Sequence, residues 1–500
     1  MLLGQTTSYG TATLGVGSVA DGMAMTLVDG VARLIYVDDS NGRARSLALG
    51  TVSDPGSGYM IADAAPSAQD WTSSQPGTGL AFHAEGSQTR MYIFEAHGGA
   101  MTSALIGVSG APGAATTVSS STGTLTGVEA MTIAAVGASD IAILNFWGKS
   151  GVKLYRVEDS GFLTYATTLT DTSKTYLNDV SDTATVTLDG RDYLLTLSAL
   201  ENGISSFAMA PDGSAALIDS LGNRDGLAVT GPASLQTLEM DGVTYAVIAS
   251  TGSSSLSVVR INGMGCLFTV DHVVDDLTTR FAQPVALDSF TYNGRSFIVT
   301  AGTDAGITFF EMLPGGALAL FSTLVLETGD GIGSVTSLEI AVSGSSASLF
   351  VIDDSAGSIL QLDFSLATLG GRITASGGQA SGSTLDDLIL GTAANETLRG
   401  NQGADFIHDG AGADTLFGGT GADVFVLGLD SSIDRIGDYE ANRDLIDLSE
   451  WGRFYTAGAL TIVSTATGAE ISFGTNRVIV TSNTGTSLSA ASFTDSDFIF

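Results

Sequence analysis

The sequence predicts an all-β protein in two parts. A seven-bladed β-propeller occupies residues 1–370, a linker 371–381, a short parallel β-roll 382–427, and a β-rich cap 428–500. Three observations carry this reading. Apolar strand cores return about every 52 residues, an acidic residue returns every ninth position late in the chain, and the composition suits tight turns between buried strands. With 64 glycines, 44% hydrophobic and only 14% charged residues, the chain is too apolar for acidic disorder.

The propeller comes first. Strand cores beginning at Arg33, Arg90, Asp140, Asp192, Thr244, Ser296 and Ser348 stand 57, 50, 52, 52, 52 and 52 residues apart. In one copy, Ala233 to Met240 ends at Asp241-Gly242, Val243 to Ser250 at Thr251-Gly252, and Ser254 to Ile261 at Asn262-Gly263; Cys266 to Val274 completes the set. Asp-Gly and Asn-Gly between apolar runs signal hairpins. Four strands per copy and seven copies describe a ring of blades, in which radial packing protects sheet edges. The run Thr11 to Val19 is expected to complete a blade with the last copy, because Tyr36-Val-Asp-Asp-Ser and Val351-Ile-Asp-Asp-Ser look alike. The architecture resembles the broad lactonase-like or quinoprotein-like propeller class, without a shared motif.

The roll follows. Asp387, Glu396, Asp405, Asp414 and Asp423 are nine apart, and two places after them stand Ile389, Leu398, Ile407, Leu416 and Phe425. No helix or simple strand has that period, so each unit is a turn plus a short strand, one half-coil of a solenoid. Glycines cluster before the acids, notably Gly403, Gly410, Gly412, Gly419 and Gly421, where turns need positive φ. This stretch resembles the glycine-rich nonapeptide repeats of RTX proteins (hemolysin-type calcium-binding repeats). The resemblance implies a right-handed β-roll with residues eighteen apart stacked and Ca²⁺ held between turns. It also implies that the five acids and five glycines form the metal site, with Asp405 serving two neighbours. Carboxylates and turn carbonyls supply the six to eight hard oxygens that calcium takes. The later units match best, since Leu385 and Ala394 replace turn glycines.

After the roll, Asp434 to Ser449 resembles the acidic and apolar stretch that closes RTX rolls, with Asn442 in a slot where αL-tolerant asparagine can replace glycine. Leu460 to Val463, Ala469 to Phe473 and Arg477 to Thr481 read as capping strands. Asp495-Ser-Asp-Phe-Ile-Phe500 is similar to the C-terminal signals of type I secretion substrates. No N-terminal stretch reads as a cleaved signal, and no run reaches the roughly 18 apolar residues of a membrane span. One cysteine, Cys266, forms no internal disulfide, so calcium is the expected staple outside the cell. A net charge of −34 argues against nucleic acid and anionic membranes as partners.

These expectations add up to a secreted or cell-surface calcium-binding protein, exported by a type I apparatus, whose propeller is a binding or structural module for a glycan or protein. The alternative is a secreted propeller hydrolase of lactonase or phosphoesterase type. Glu129, Asp182, Asp288 and Glu339 lie on innermost strands and could serve it as channel acids. His83, His97, His272 and His408 lack metal-ligand spacing, no zincin motif or nucleophile elbow occurs, and His408 fits an outward strand position. Trp71, Trp147 and Trp451 suit either sugar stacking or the core, and Lys149, Lys153 and Lys174 make one small basic spot.

Overall fold

The computed structural model describes residues 23–28, 31–38, 43–48, 78–86, 88–95, 98–107, 113–158, 160–325, 334–353, 358–452, 454 and 456–500. Two compact units result, one from most of residues 6–364 and the other from residues 365–500.

The first unit is a propeller-like set of antiparallel sheets. One sheet runs Val180–Leu188, Arg191–Ser198, Gly203–Met209, Ala215–Gly222 in meander order; Pro232–Met240, Val243–Ser250, Ser255–Ile261, Leu267–Val274 repeat it. The second strand of such a sheet is almost wholly buried, as in Val243–Ser250. Burial on both faces explains why these strands read as continuous apolar runs. The hairpins form where Asp-Gly and Asn-Gly fall: Asp189-Gly190, Asp241-Gly242 and Asn293-Gly294 all have positive φ at both residues, the backbone of a type I′ turn. Asn262-Gly263 differs, since five residues join its strands and the Asn262 carboxamide accepts from the Met264 and Cys266 amides.

First strands of successive sheets pack side by side. Val128–Val136 lies against Thr78–Glu85, Val180–Leu188 against Pro232–Met240, and Met23–Val28 against both Thr78–Glu85 and Val335–Ser343. Carboxylates bridge outer strands as well. Asp219 accepts from the Leu267 amide at 2.9 Å, and Asp271, 52 positions on, from the Leu318 amide at 2.7 Å. The expected seven complete blades are cut back. Among the described residues five sheets have four meander strands, whereas Met23–Ala48 and Val335–Ser365 supply three each. Thr11 to Val19, expected to add a strand, lies outside the described residues.

The second unit is a parallel β-solenoid. One sheet stacks Leu369–Thr374, Asp386–Leu390, Phe406–His408, Val424–Val426, Leu445–Asp447 and Phe498–Ile499; the other stacks Gln379–Ser381, Thr397–Gln402, Thr415–Thr420, Ile433–Tyr439 and Asn476–Ser482. Leu388 pairs with Phe406 and Phe406 with Val424, an eighteen-residue step. Ile389, Leu398, Ile407, Leu416 and Phe425 are fully buried between the sheets, and each stabilises the coil by about 1.5–3 kcal/mol. Residues 371–381, expected as a linker, instead contribute strands of the solenoid, because Ile373 and Ala380 extend the same apolar columns. The hairpin Thr461–Ser464, Gly468–Phe473 and its neighbour Asn476–Ser482 continue the second sheet, near the expected capping positions. Asn442 adopts φ 63°.

Candidate metal centre

The solenoid places its acids in two columns of turns. At each step the backbone amide of one acid donates to the carboxylate of the acid one coil later. Asp387 donates to Asp405 at 2.8 Å, Asp405 to Asp423 at 2.9 Å and Asp423 to Asp444 at 3.1 Å. On the other side Glu396 donates to Asp414 at 2.6 Å and Asp414 to Asp434 at 3.0 Å. The first units, with their imperfect turns, join this ladder in the same way as the later ones. Asp405 engages coils on both sides.

The second oxygen of three acids is what points to a ligand. Asp405, Asp414 and Asp423 are at most 1% exposed, and their Oδ2 atoms have no hydrogen-bond partner among the described residues. A buried carboxylate oxygen without a partner carries a large desolvation cost. Burial accordingly pushes Asp405 up to about 8, with opposition from the Asp387 amide and reinforcement from Asp423 and Asp387. Asp423 rises to about 7 and Asp414 to about 6, again chiefly through burial. A bound cation removes that cost, so the donor set fits calcium: hard oxygens, buried, with carbonyls of stacked turns beside them. Among the described residues no three His, Cys, Asp or Glu side chains converge on one point. Turn carbonyls must therefore supply most of the coordination.

Glycine makes room for these oxygens. A Cβ at Gly400 would stand 2.3 Å from Asp405 Oδ2 and 2.4 Å from the Gly418 carbonyl. A Cβ at Gly418 would stand 2.2 Å from Asp423 Oδ2. Neither residue was singled out in the sequence, though both sit five places before a ladder acid. Gly403, Gly410, Gly412 and Gly419 have the expected positive φ. Gly421 does not share it; there a Cβ would meet the Gly403 carbonyl at 1.6 Å, so close stacking requires the glycine. The ladder also recruits acids beyond the predicted roll, Asp434 and Asp444, whose offsets of 20 and 21 hid them from a nine-residue period.

Other expected sites resolve differently. Asp182 Oδ2 accepts from the Leu235 amide at 2.7 Å and Asp288 Oδ2 from the Ile340 amide at 2.9 Å, so both staple neighbouring sheets. Burial pushes Glu339 up to about 8, with the Asp288 charge adding to it. His408 is not outward: its ring is 14% exposed, with Nε2 3.5 Å from Glu450 and Nδ1 accepting from the Gly410 amide. His83 is buried against Asp140 at 2.9 Å, and His272 contacts Ser257. Trp451 is core and Trp147 exposed; Trp71 and His97 lie outside the described residues. Lys153 lies over the Phe146 ring.

No helix among the described residues is long and apolar enough to cross a membrane. The family model for the RTX calcium-binding nonapeptide repeat matches residues 390–425 in four copies. No curated protein matches the chain. Among solved structures, a protein from Lactobacillus plantarum is 15% identical, with 68% of this chain and 93% of that one covered at a TM-score of 0.40. A functionally unknown protein from Desulfotomaculum acetoxidans is 11% identical over 68% and 98%, at 0.39. A periplasmic gluconolactonase from Pseudomonas aeruginosa is 14% identical over 70% and 95%, also at 0.39. Likeness at that level fixes neither fold nor function. The repeat match covers the turns of Glu396, Asp405, Asp414 and Asp423, so calcium-binding repeats of the RTX type are what residues 390–425 carry.

Proposed function

We propose that the chain is a secreted calcium-binding protein whose solenoid folds on calcium outside the cell, and whose first unit is a propeller that binds an extracellular glycan or protein. The unpartnered, buried Oδ2 atoms of Asp405, Asp414 and Asp423 carry the calcium reading. Without a cation these groups oppose folding; with one, binding becomes folding free energy. Asp387, Glu396, Asp405, Asp414 and Asp423, with the turn carbonyls of Gly403, Gly410, Gly412, Gly419 and Gly421, are the proposed ligand set. The packing of Met23–Val28 against Val335–Ser343 supports the propeller. Replacing Asp405 and Asp414 together by alanine should leave a solenoid that protease cuts at calcium levels protecting the parent. Equal protection of both chains would end the reading.

Export is proposed to use the C-terminal segment. Deleting roughly the last sixty residues should hold the protein inside the cell, and its appearance in the medium at parental levels without lysis would contradict this. A second reading, a propeller hydrolase, has one feature in its favour: burial and the Asp288 charge push the Glu339 carboxyl up to about 8, the direction a general acid needs. Lactone or phosphoester turnover that disappears in Glu339→Gln would establish it.

A further inference from the structure

The chain holds three lysines, Lys149, Lys153 and Lys174, and all of them fall on the third copy of the propeller repeat and the loop that leaves it. One turn there joins the strands Ser139–Phe146 and Val152–Val157. Trp147 and Lys149 lie on that turn, Trp147 54% exposed and Lys149 exposed. Backbone bonds fix it: the Trp147 amide donates to the Gly127 carbonyl at 3.0 Å and the Lys149 amide to the Phe146 carbonyl at 2.9 Å. Lys153 follows on the second strand, its ammonium 4.8 Å from the centre of the Phe146 ring, so its charge reaches back toward the turn. The Gly151 amide donates to the Leu177 carbonyl at 2.7 Å, and a Cβ on Gly151 would stand 2.3 Å from the Leu169 carbonyl. Loop 170–176 therefore leaves from and returns to this turn, and it carries the exposed Lys174, whose amide donates to the Thr172 hydroxyl at 3.2 Å.

None of the three lysines forms an ion pair among the described residues, whereas Arg90, Arg156, Arg443 and Arg477 each pair with a glutamate. Two acids beside them are held by their own loops. Asp171 accepts from the Thr175 hydroxyl at 3.2 Å, and Glu201 from the Leu177 and Asn178 amides at 3.0 Å. In a chain of net charge −34, unpaired ammonium groups beside an exposed indole select for one kind of ligand. Indole is a flat apolar face with a polar edge, suited to the apolar face of a sugar ring. Lysine is a compact point charge on a flexible stem, suited to charges spaced along a strand, and neither segment carries the arginine fork that grips phosphate. A membrane or an acidic protein presents a broad surface, which the acidic remainder of the chain repels; a single polysaccharide strand is narrow enough to meet this patch alone.

Resting on the reading of the propeller as an extracellular binder, we propose that turn 147–151, Lys153 and loop 170–176 form a binding site for an anionic polysaccharide. A pyranose ring stacks on Trp147, and carboxylate or sulfate groups along the strand meet Lys149, Lys153 and Lys174.

Isothermal titration calorimetry of the full chain in calcium tests this, with a short oligogalacturonate, dextran sulfate, neutral dextran and polyglutamate as separate titrants. The first two distinguish carboxylate from sulfate as the anion. At least one of them should bind, more weakly as sodium chloride is raised, and dextran should not. Lys149→Gln combined with Lys174→Gln should weaken binding about fivefold, and Trp147→Ala about threefold or more. Circular dichroism of each variant should match the parent; if Trp147→Ala disturbs the fold, the lysine variant decides. Unchanged affinity in both variants overturns the proposal while the binder reading stands. Dextran or polyglutamate binding as tightly as the anionic glycans overturns it too. If no glycan binds at all, charged or neutral, the glycan half of the binder reading falls with it.

Discussion

Asp405, Asp414 and Asp423 set the solenoid's response to pH. Burial raises all three, to about 8, 6 and 7, above the value of roughly 4 they have unfolded. A raised folded-state pKa stabilises fully below the unfolded value and is lost as pH rises through the folded one. The metal-free solenoid should therefore melt at higher temperature at pH 5 than at pH 8.5. Calcium should reverse that order, since the cation replaces the protons. Circular dichroism melts in chelator and in millimolar calcium at both pH values check it, and a metal-free melt that rises with pH would contradict the burial. At the same scale, Gly400→Ala should lower the solenoid's melting free energy by about 1–3 kcal/mol, as overpacking does. Its Cβ would collide with Asp405 Oδ2 and the Gly418 carbonyl. The nine-residue recurrence made the five acids legible. It could not reveal Asp434 or Asp444, because insertions before them break the period.

Buried columns and inter-sheet carboxylates hold the elements. Phe425 is fully buried between Ile407 and Ile446 in register. Phe425→Ala should cost about 3–5 kcal/mol, measured on the solenoid transition in calcium. In the other unit, Asp182→Ala removes the acceptor for the Leu235 amide and should cost about 1–3 kcal/mol, with no change in calcium titration. A calcium shift in that variant would show that the staple does more than hold two sheets. The second strands and their type I′ turns were legible, since strands buried on both faces and Asp-Gly pairs leave strong local marks. The strands at 369–374 and 379–381 were not. Short polar strands such as Gln379–Ser381 look like loops until parallel neighbours supply their hydrogen bonds.

For the molecule as a whole, calorimetry should resolve two transitions, only one of them moved by chelator. A single transition that shifts entirely with calcium would show that the division near residue 365 does not govern stability. The spacing of Asp219 and Asp271 carries a different consequence. The first bonds the Leu267 amide and the second the Leu318 amide, 48 and 47 positions downstream. These two consecutive copies thus offer their successors the same acceptor. A gene that lost or gained one whole unit of 52 residues there would bring Asp219 to an equivalent amide, so the joints between units would survive. At these two joints the chemistry sets no copy number, which leaves that part of the chain open to growth by whole units.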